Sequence, residues 1–100
     1  MPFLAYCTYR EGSEEARRVA LADHLEYVES ILDCIAVAGP ARTESGGRPV
    51  ASCFVYHTDD EQEARRLLEN DPYFKAGIYA DVALTIFTPA AGTWIGGKIW

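Results

Sequence analysis

Two histidines and three cysteines are the side chains of this 100-residue chain best suited to chemistry near neutral pH. His24 stands inside a stretch of helical period. With 100° per residue, Arg17, Ala20, Leu21, Tyr27, Val28 and Ile31 fall within about 60° of it, which puts the imidazole on the inner stripe of an amphipathic helix. Glu26, Glu29, Ser30 and Asp33 point away. An imidazole there must find a hydrogen-bond partner or face a cavity, because burying it unpaired is costly. A satisfied core or interface histidine meets that demand as well as a pocket residue does. His57, at a strand end beside Thr58 and Asp59, reads as a surface histidine. Cys7, Cys34 and Cys53 have no metal-type spacing and no neighbouring base, so they read as core thiols and not as nucleophiles.

The stretch "NDPYFKAGIY", residues 70–79, carries a second candidate. Asp71 is a good helix N-cap, Pro72 suits the first helical position, and Gly77 ends the turn. Nothing local demands catalysis of Asp71. Arg17, about two turns before His24 on the same side, is either a solvated helix charge or a ligand for a carboxylate or phenolate. Tyr27 lies one turn beyond His24. No phosphate-binding glycine loop, zinc spacing or GxSxG is present, so neither a metal nor a cofactor is expected.

The elements that must position these groups follow from pattern. "PFLAYCTY" (2–9) reads as a strand. Ser13 is a good N-cap for a helix running to about Cys34, with Glu14 and Glu15 at the positive end of its dipole. "CIAVAGPAR" (34–42) reads as a short strand broken at Gly39–Pro40, and "PVASCFVYHT" (49–58) as the clearest strand. A second helix starts with a capping-box pattern, Thr58 with Glu61 or Asp60 with Glu63. "IYADVALTIFTP" (78–89) closes the set. The order β-α-β-β-α-β predicts one α+β domain over 1–100 with a ferredoxin-like fold: an antiparallel sheet with two helices on one face. Strand residues of both parities are apolar, for example Phe54 and Tyr56 against Cys53 and Val55. A sheet that must be covered on both faces implies a face-to-face homodimer. The tail 89–100, with both tryptophans, is expected to pack on the domain or on the dimer partner.

Composition narrows the partners. Nine Lys plus Arg against 15 Asp plus Glu leave a net charge of −6. That argues against nucleic acid or an anionic membrane, since both recruit a basic footprint. No run approaches the ~20 apolar residues of a membrane span. The start lacks a basic region and an apolar run of signal-peptide length. With three cysteines in no disulfide pattern, the expectation is a soluble, cytoplasmic protein.

Together, "HLEYV" on the first helix, "AGP" after the second strand and "DPYFKAGIYADVALTIF" resemble the YciI-like (YCII-related) proteins of the dimeric α+β barrel superfamily. The Arg17 and Ser52 positions and the "EAR" of the second helix agree with that family. The "GTWIGG" tail is similar only to some members. The resemblance implies that His24 and Asp71 meet in a pocket as a His–Asp dyad, with Arg17, Ser52 and Tyr27 around a small-molecule ligand. It implies acid/base chemistry of isomerase or lyase type without a cofactor; relatives include a dehydrochlorinase-type activity on a chlorinated hydroquinone and, more remotely, lactone isomerases. The competing expectation is a non-catalytic binding or assembly module in which the same pair is structural. A cavity reaching His24 separates the two from a solid core.

Overall fold

A computed structural model gives the structure of residues 2–100. Strand β1 (Phe3–Tyr9) leads into helix α1 (Glu14–Ser30), and a single 3₁₀ turn (Leu32–Cys34) connects α1 to β2 (Ile35–Ala41). Then follow β3 (Ala51–Tyr56), α2 (Glu61–Glu69), the one-turn helix α3 (Pro72–Lys75) and β4 (Tyr79–Ile86). The four strands form an antiparallel sheet in the order β2-β3-β1-β4. This is the expected α+β, ferredoxin-like arrangement.

The register assigns the faces. Phe3, Ala5 and Cys7 of β1 lie opposite Tyr56, Phe54 and Ser52 of β3. These side chains bury against Ala64 and Leu68 of α2, Tyr73 of α3 and the half-buried Ala20 and Val28 of α1. The other face carries Leu4, Tyr6, Val37, Cys53 and Val55 in register, and Tyr6 in the middle of it is 42% exposed. A central strand that leaves an aromatic side chain this open on its second face is unusual for an isolated domain.

Three local expectations are corrected. β2 is not broken at Gly39–Pro40 but runs through them to Ala41. It is an edge strand, where a residue without an N–H is tolerated. α1 ends at Ser30, four residues short of Cys34. Ser13 occupies the N-cap position of α1, yet its hydroxyl accepts from the Arg17 guanidinium at 3.3 Å and makes no side-chain capping bond. At α2 the cap is Asp60, whose carboxylate accepts from Gln62 N–H at 2.9 Å.

Beyond Phe87 the chain forms a two-strand hairpin, β5 (Ala91–Gly92) with β6 (Gly97–Lys98). Trp94 and Trp100 are 85% and 74% exposed, so neither packs on this chain's own core.

Candidate active site

The carboxylate at the centre of the site is held by its own local structure. Asp71 caps α3: its Oδ1 accepts from Tyr73 N–H at 2.9 Å, and Pro72 takes the first helical position, where a missing donor costs nothing. Gly77, at φ +70°, ends the turn. Its N–H reaches Phe74 O and that of Ile78 reaches Tyr73 O, each at 3.1 Å, the paired closure that left-handed glycine permits. The short helix is therefore clamped at both ends, and Asp71 is 2% exposed.

Onto this carboxylate converge two side chains from elsewhere. His24 Nδ1 lies 2.7 Å from Asp71 Oδ1, and the Tyr79 hydroxyl donates to Oδ2 at 2.8 Å. With Tyr73 N–H, three groups meet the two carboxylate oxygens and leave the side chain little freedom to rotate. A register shift makes this possible. Between Thr8 and Tyr9 the pairing with β4 slips, so Tyr9 faces Tyr79 instead of Ala80. The slip turns Tyr79 to the helix-covered face, as bulges commonly do at functional sites. Burial first, and the Asp71 carboxylate second, push the Tyr79 phenol far above its ordinary range, so it serves as a fixed neutral donor.

The imidazole is clamped by rings as well. Tyr73 stacks on it with centroids 3.9 Å apart and 9° between planes, and Phe54 meets it edge-on at 6.5 Å. Among the described residues, no fully buried side-chain nitrogen or oxygen lacks a hydrogen-bond partner. Since Nδ1 is committed to Asp71, Nε2 keeps accessible surface on the side of the cavity that His24 lines.

That cavity has a volume of about 420 Å³. Its wall is mainly apolar, with Leu21, Leu25, Val28, Pro40 and Phe54, and its polar groups are Tyr9, Arg17, His24, Arg42, Ser52 and Tyr73. Size and lining suit a small organic molecule. The Tyr9 hydroxyl lies 2.7 Å from Ser52 Oγ, and the Arg17 guanidinium carbon sits 4.4 Å from the Tyr9 ring centroid. Burial raises the Tyr9 phenol, while the Ser52 hydrogen bond and the Arg17 charge pull it back.

Of the sequence-predicted residues, His24 and Asp71 are in direct contact, and Arg17 and Ser52 line the same cavity as His24. Tyr27 does not line it; its hydroxyl donates to Leu67 O at 2.6 Å and ties α1 to α2. Tyr9, Tyr73, Tyr79 and Arg42 escaped the sequence reading. Tyr73 was within sight, as the neighbour of Asp71 and Pro72. Tyr9 and Tyr79 had no local signal, because the slip that faces them together is a property of the paired strands. Cys7 lies on the buried sheet face, where burial, with Asp71 and Cys53 nearby, pushes its thiol up to about 12, so it is no nucleophile at neutral pH. All three cysteines are free thiols. Among the described residues no His/Cys/Asp/Glu cluster is arranged to hold a metal, and no helix is long and apolar enough to cross a membrane.

The fold has solved counterparts. At 30% identity the chain resembles the 5-chloro-2-hydroxyhydroquinone dehydrochlorinase TftG of Burkholderia phenoliruptrix, solved in complex with 2,5-dihydroxybenzoquinone. The match has a TM-score of 0.81 and covers 93% of this chain and 97% of that one. A crystal structure of an Agrobacterium tumefaciens protein, at 13% identity and a TM-score of 0.54, covers 90% of this chain and 94% of its own and shares the fold. No curated protein matches in sequence. The family model of the YCII-related domain matches residues 1–88, and the chain belongs to that family.

Proposed function

We propose that the chain is a cofactor-independent enzyme that uses His24 and Asp71 for general acid/base chemistry of lyase or isomerase type on a small organic molecule. The observation that carries this reading is the 2.7 Å contact between His24 Nδ1 and Asp71 Oδ1 at the wall of an apolar cavity. With Nδ1–H donating to the carboxylate, Nε2 is the unprotonated nitrogen and takes a proton from substrate. The carboxylate then stabilises the imidazolium until the proton is returned. The Tyr79 and Tyr73 bonds to Asp71 keep the ring's orientation fixed through that cycle. Arg17 and Arg42 give an otherwise apolar wall its positive charge, which fits an anionic or ionisable substrate. The small-molecule dehydrochlorinase at 30% identity supports lyase chemistry on this scaffold. Fold likeness alone does not name the substrate.

The reading includes a cytoplasmic homodimer. The apolar face carrying Leu4, Tyr6, Cys53 and Val55 packs on its copy, and the Trp94–Trp100 tail buries its apolar side chains at the same assembly.

The test is proton exchange. The chain is incubated in deuterated water with 5-chloro-2-hydroxyhydroquinone and with a panel of small ketones, lactones and phenols. Wild-type protein is expected to catalyse turnover or carbon-bound deuterium exchange, and His24→Asn to lose about 10²–10⁴-fold in rate. An equal rate in His24→Asn sinks the dyad as acid/base machinery. Ligand binding without exchange or turnover favours a binding module.

A further inference from the structure

Arg42 lines the same cavity as His24, where β2 leads into the β2–β3 loop. It is exposed where His24 is buried, so it marks the solvent end of the cavity. The loop is built around its guanidinium. Arg42 Nε donates to Gly47 O at 2.8 Å, Gly47 N–H reaches Glu44 O at 3.0 Å, and Val50 N–H reaches Ala41 O at 2.8 Å. Gly46, at φ +76°, makes the reversal, and a Cβ on Gly47 would come within 2.8 Å of Glu44 Cγ. One edge of the guanidinium is thereby fixed. Its two Nη groups have no partner among the described residues.

That is an exception in an acidic chain. With a net charge of −6, Arg18 pairs with Glu15, Arg48 with Glu14 and Arg65 with Glu61. Arg42 pairs with no carboxylate among the described residues, and Glu44 of its own loop lies against Gly47. Arg17, the other cation of the cavity, rests on the Tyr9 ring and donates to Ser13 Oγ, so its guanidinium is engaged within the fold. A planar guanidinium with a free pair of Nη groups, held in place by its loop, matches a carboxylate bidentately.

The strand sets the spacing. Ala38 faces Phe54, whose ring meets His24 edge-on, and Arg42 lies about 13 Å further along β2. Leu21, Leu25 and Pro40 line the same cavity. An anion at Arg42 and a reacting carbon at His24 are therefore separated by several bonds of apolar body.

We propose that Arg42 is the specificity-determining residue of the site, taking a carboxylate on its free Nη edge, and that the substrates are small monocarboxylates whose apolar body runs from that carboxylate to His24. The assignment rests on the dyad reading for its chemistry and adds which end of the molecule is held. Arg42 touches no reacting atom. Its contact is the same in the ground state and the transition state, so it acts on KM and not on kcat.

The probes are 3-phenylpropionate and its uncharged isostere 3-phenylpropionamide, with binding to the full chain followed by calorimetry. Wild-type protein is expected to bind the acid at least about 10-fold tighter than the amide. Arg42→Gln is expected to lose that preference while binding the amide unchanged, and Arg42→Lys to keep part of it. Arg42→Lys also stands as the second variant should Arg42→Gln disturb the loop. No binding of the acid by wild type, equal affinity for the two probes, or a preference that survives Arg42→Gln overturns the proposal. So does an equal loss of both probes in both variants, which is what a loop tie without ligand contact gives. His24→Asn is expected to keep the wild-type preference, so a failure of the dyad, read from deuterium exchange, is distinguishable from a failure of Arg42.

Discussion

Asp71 Oδ1 receives two donors at once, the Tyr73 N–H at 2.9 Å and His24 Nδ1 at 2.7 Å, one local to the turn and one 47 residues away in sequence. The helix cap and the orienting group of the imidazole are the same oxygen. Any movement of α3 is therefore a movement of the histidine.

This double duty makes Asp71 a stability residue. Asp71→Ala strands His24 Nδ1, the Tyr73 N–H and the Tyr79 hydroxyl together, and is expected to cost about 3–5 kcal/mol, as for breaking a buried pair. Asp71→Asn keeps an acceptor for the cap and is expected to cost less. Urea unfolding of the two variants checks the order.

A pH dependence follows from the buried phenols and thiol. Burial raises Cys7 from 9.0 to about 12 and raises Tyr9, Tyr56 and Tyr79 above the ordinary 10.0. These groups are neutral when protonated, so above pH 9 the unfolded chain releases protons that the folded chain still holds. Stability is full below about pH 9 and falls as pH rises toward 12. The buried tyrosines are expected to ionise only with unfolding, so part of the tyrosinate absorbance should rise together with the loss of circular dichroism. Ionisation of all six tyrosines in folded protein would contradict this.

Tyr27→Phe removes the 2.6 Å bond from α1 to Leu67 O. The expected cost is about 1 kcal/mol of stability, since the ring stays and one hydrogen bond goes. Because Tyr27 lies off the wall of the cavity, the rate of turnover or deuterium exchange should match wild type.

The open sheet face gives a prediction about assembly. Tyr6 is at the centre of that face, on β1, flanked by Cys53 of β3 and Ala83 of β4. Wild-type protein is expected to sediment as a dimer, and Tyr6→Glu, which would bury a charge in the seam, as a monomer. Monomeric wild-type protein at micromolar concentration would reject the face-to-face dimer.

Much of this molecule is written in local pattern. The helical period around His24, the Asp71–Pro72 cap and the β-rich strands depend on neighbours a few residues apart, so the element order and the α+β class were legible. The same patterns misplaced details that depend on the rest of the fold. Pro40 stays in β2 because that strand lies at an edge, and the Ser13 oxygen accepts from the Arg17 guanidinium and not from the helix end. The meeting of His24 with Asp71 followed from family resemblance, since no local period spans 47 residues. Tyr9 and Tyr79 were reachable by neither route. The register slip between Thr8 and Tyr9 turns Tyr79 toward Asp71, and strand register is decided only when two strands pair and bury a common face. Sequence by itself determined which residues cap, alternate and stack along each element. Tertiary structure alone decided which hydroxyl meets Asp71 and which meets Ser52, because that depends on the pairing of distant strands and not on any spacing within one.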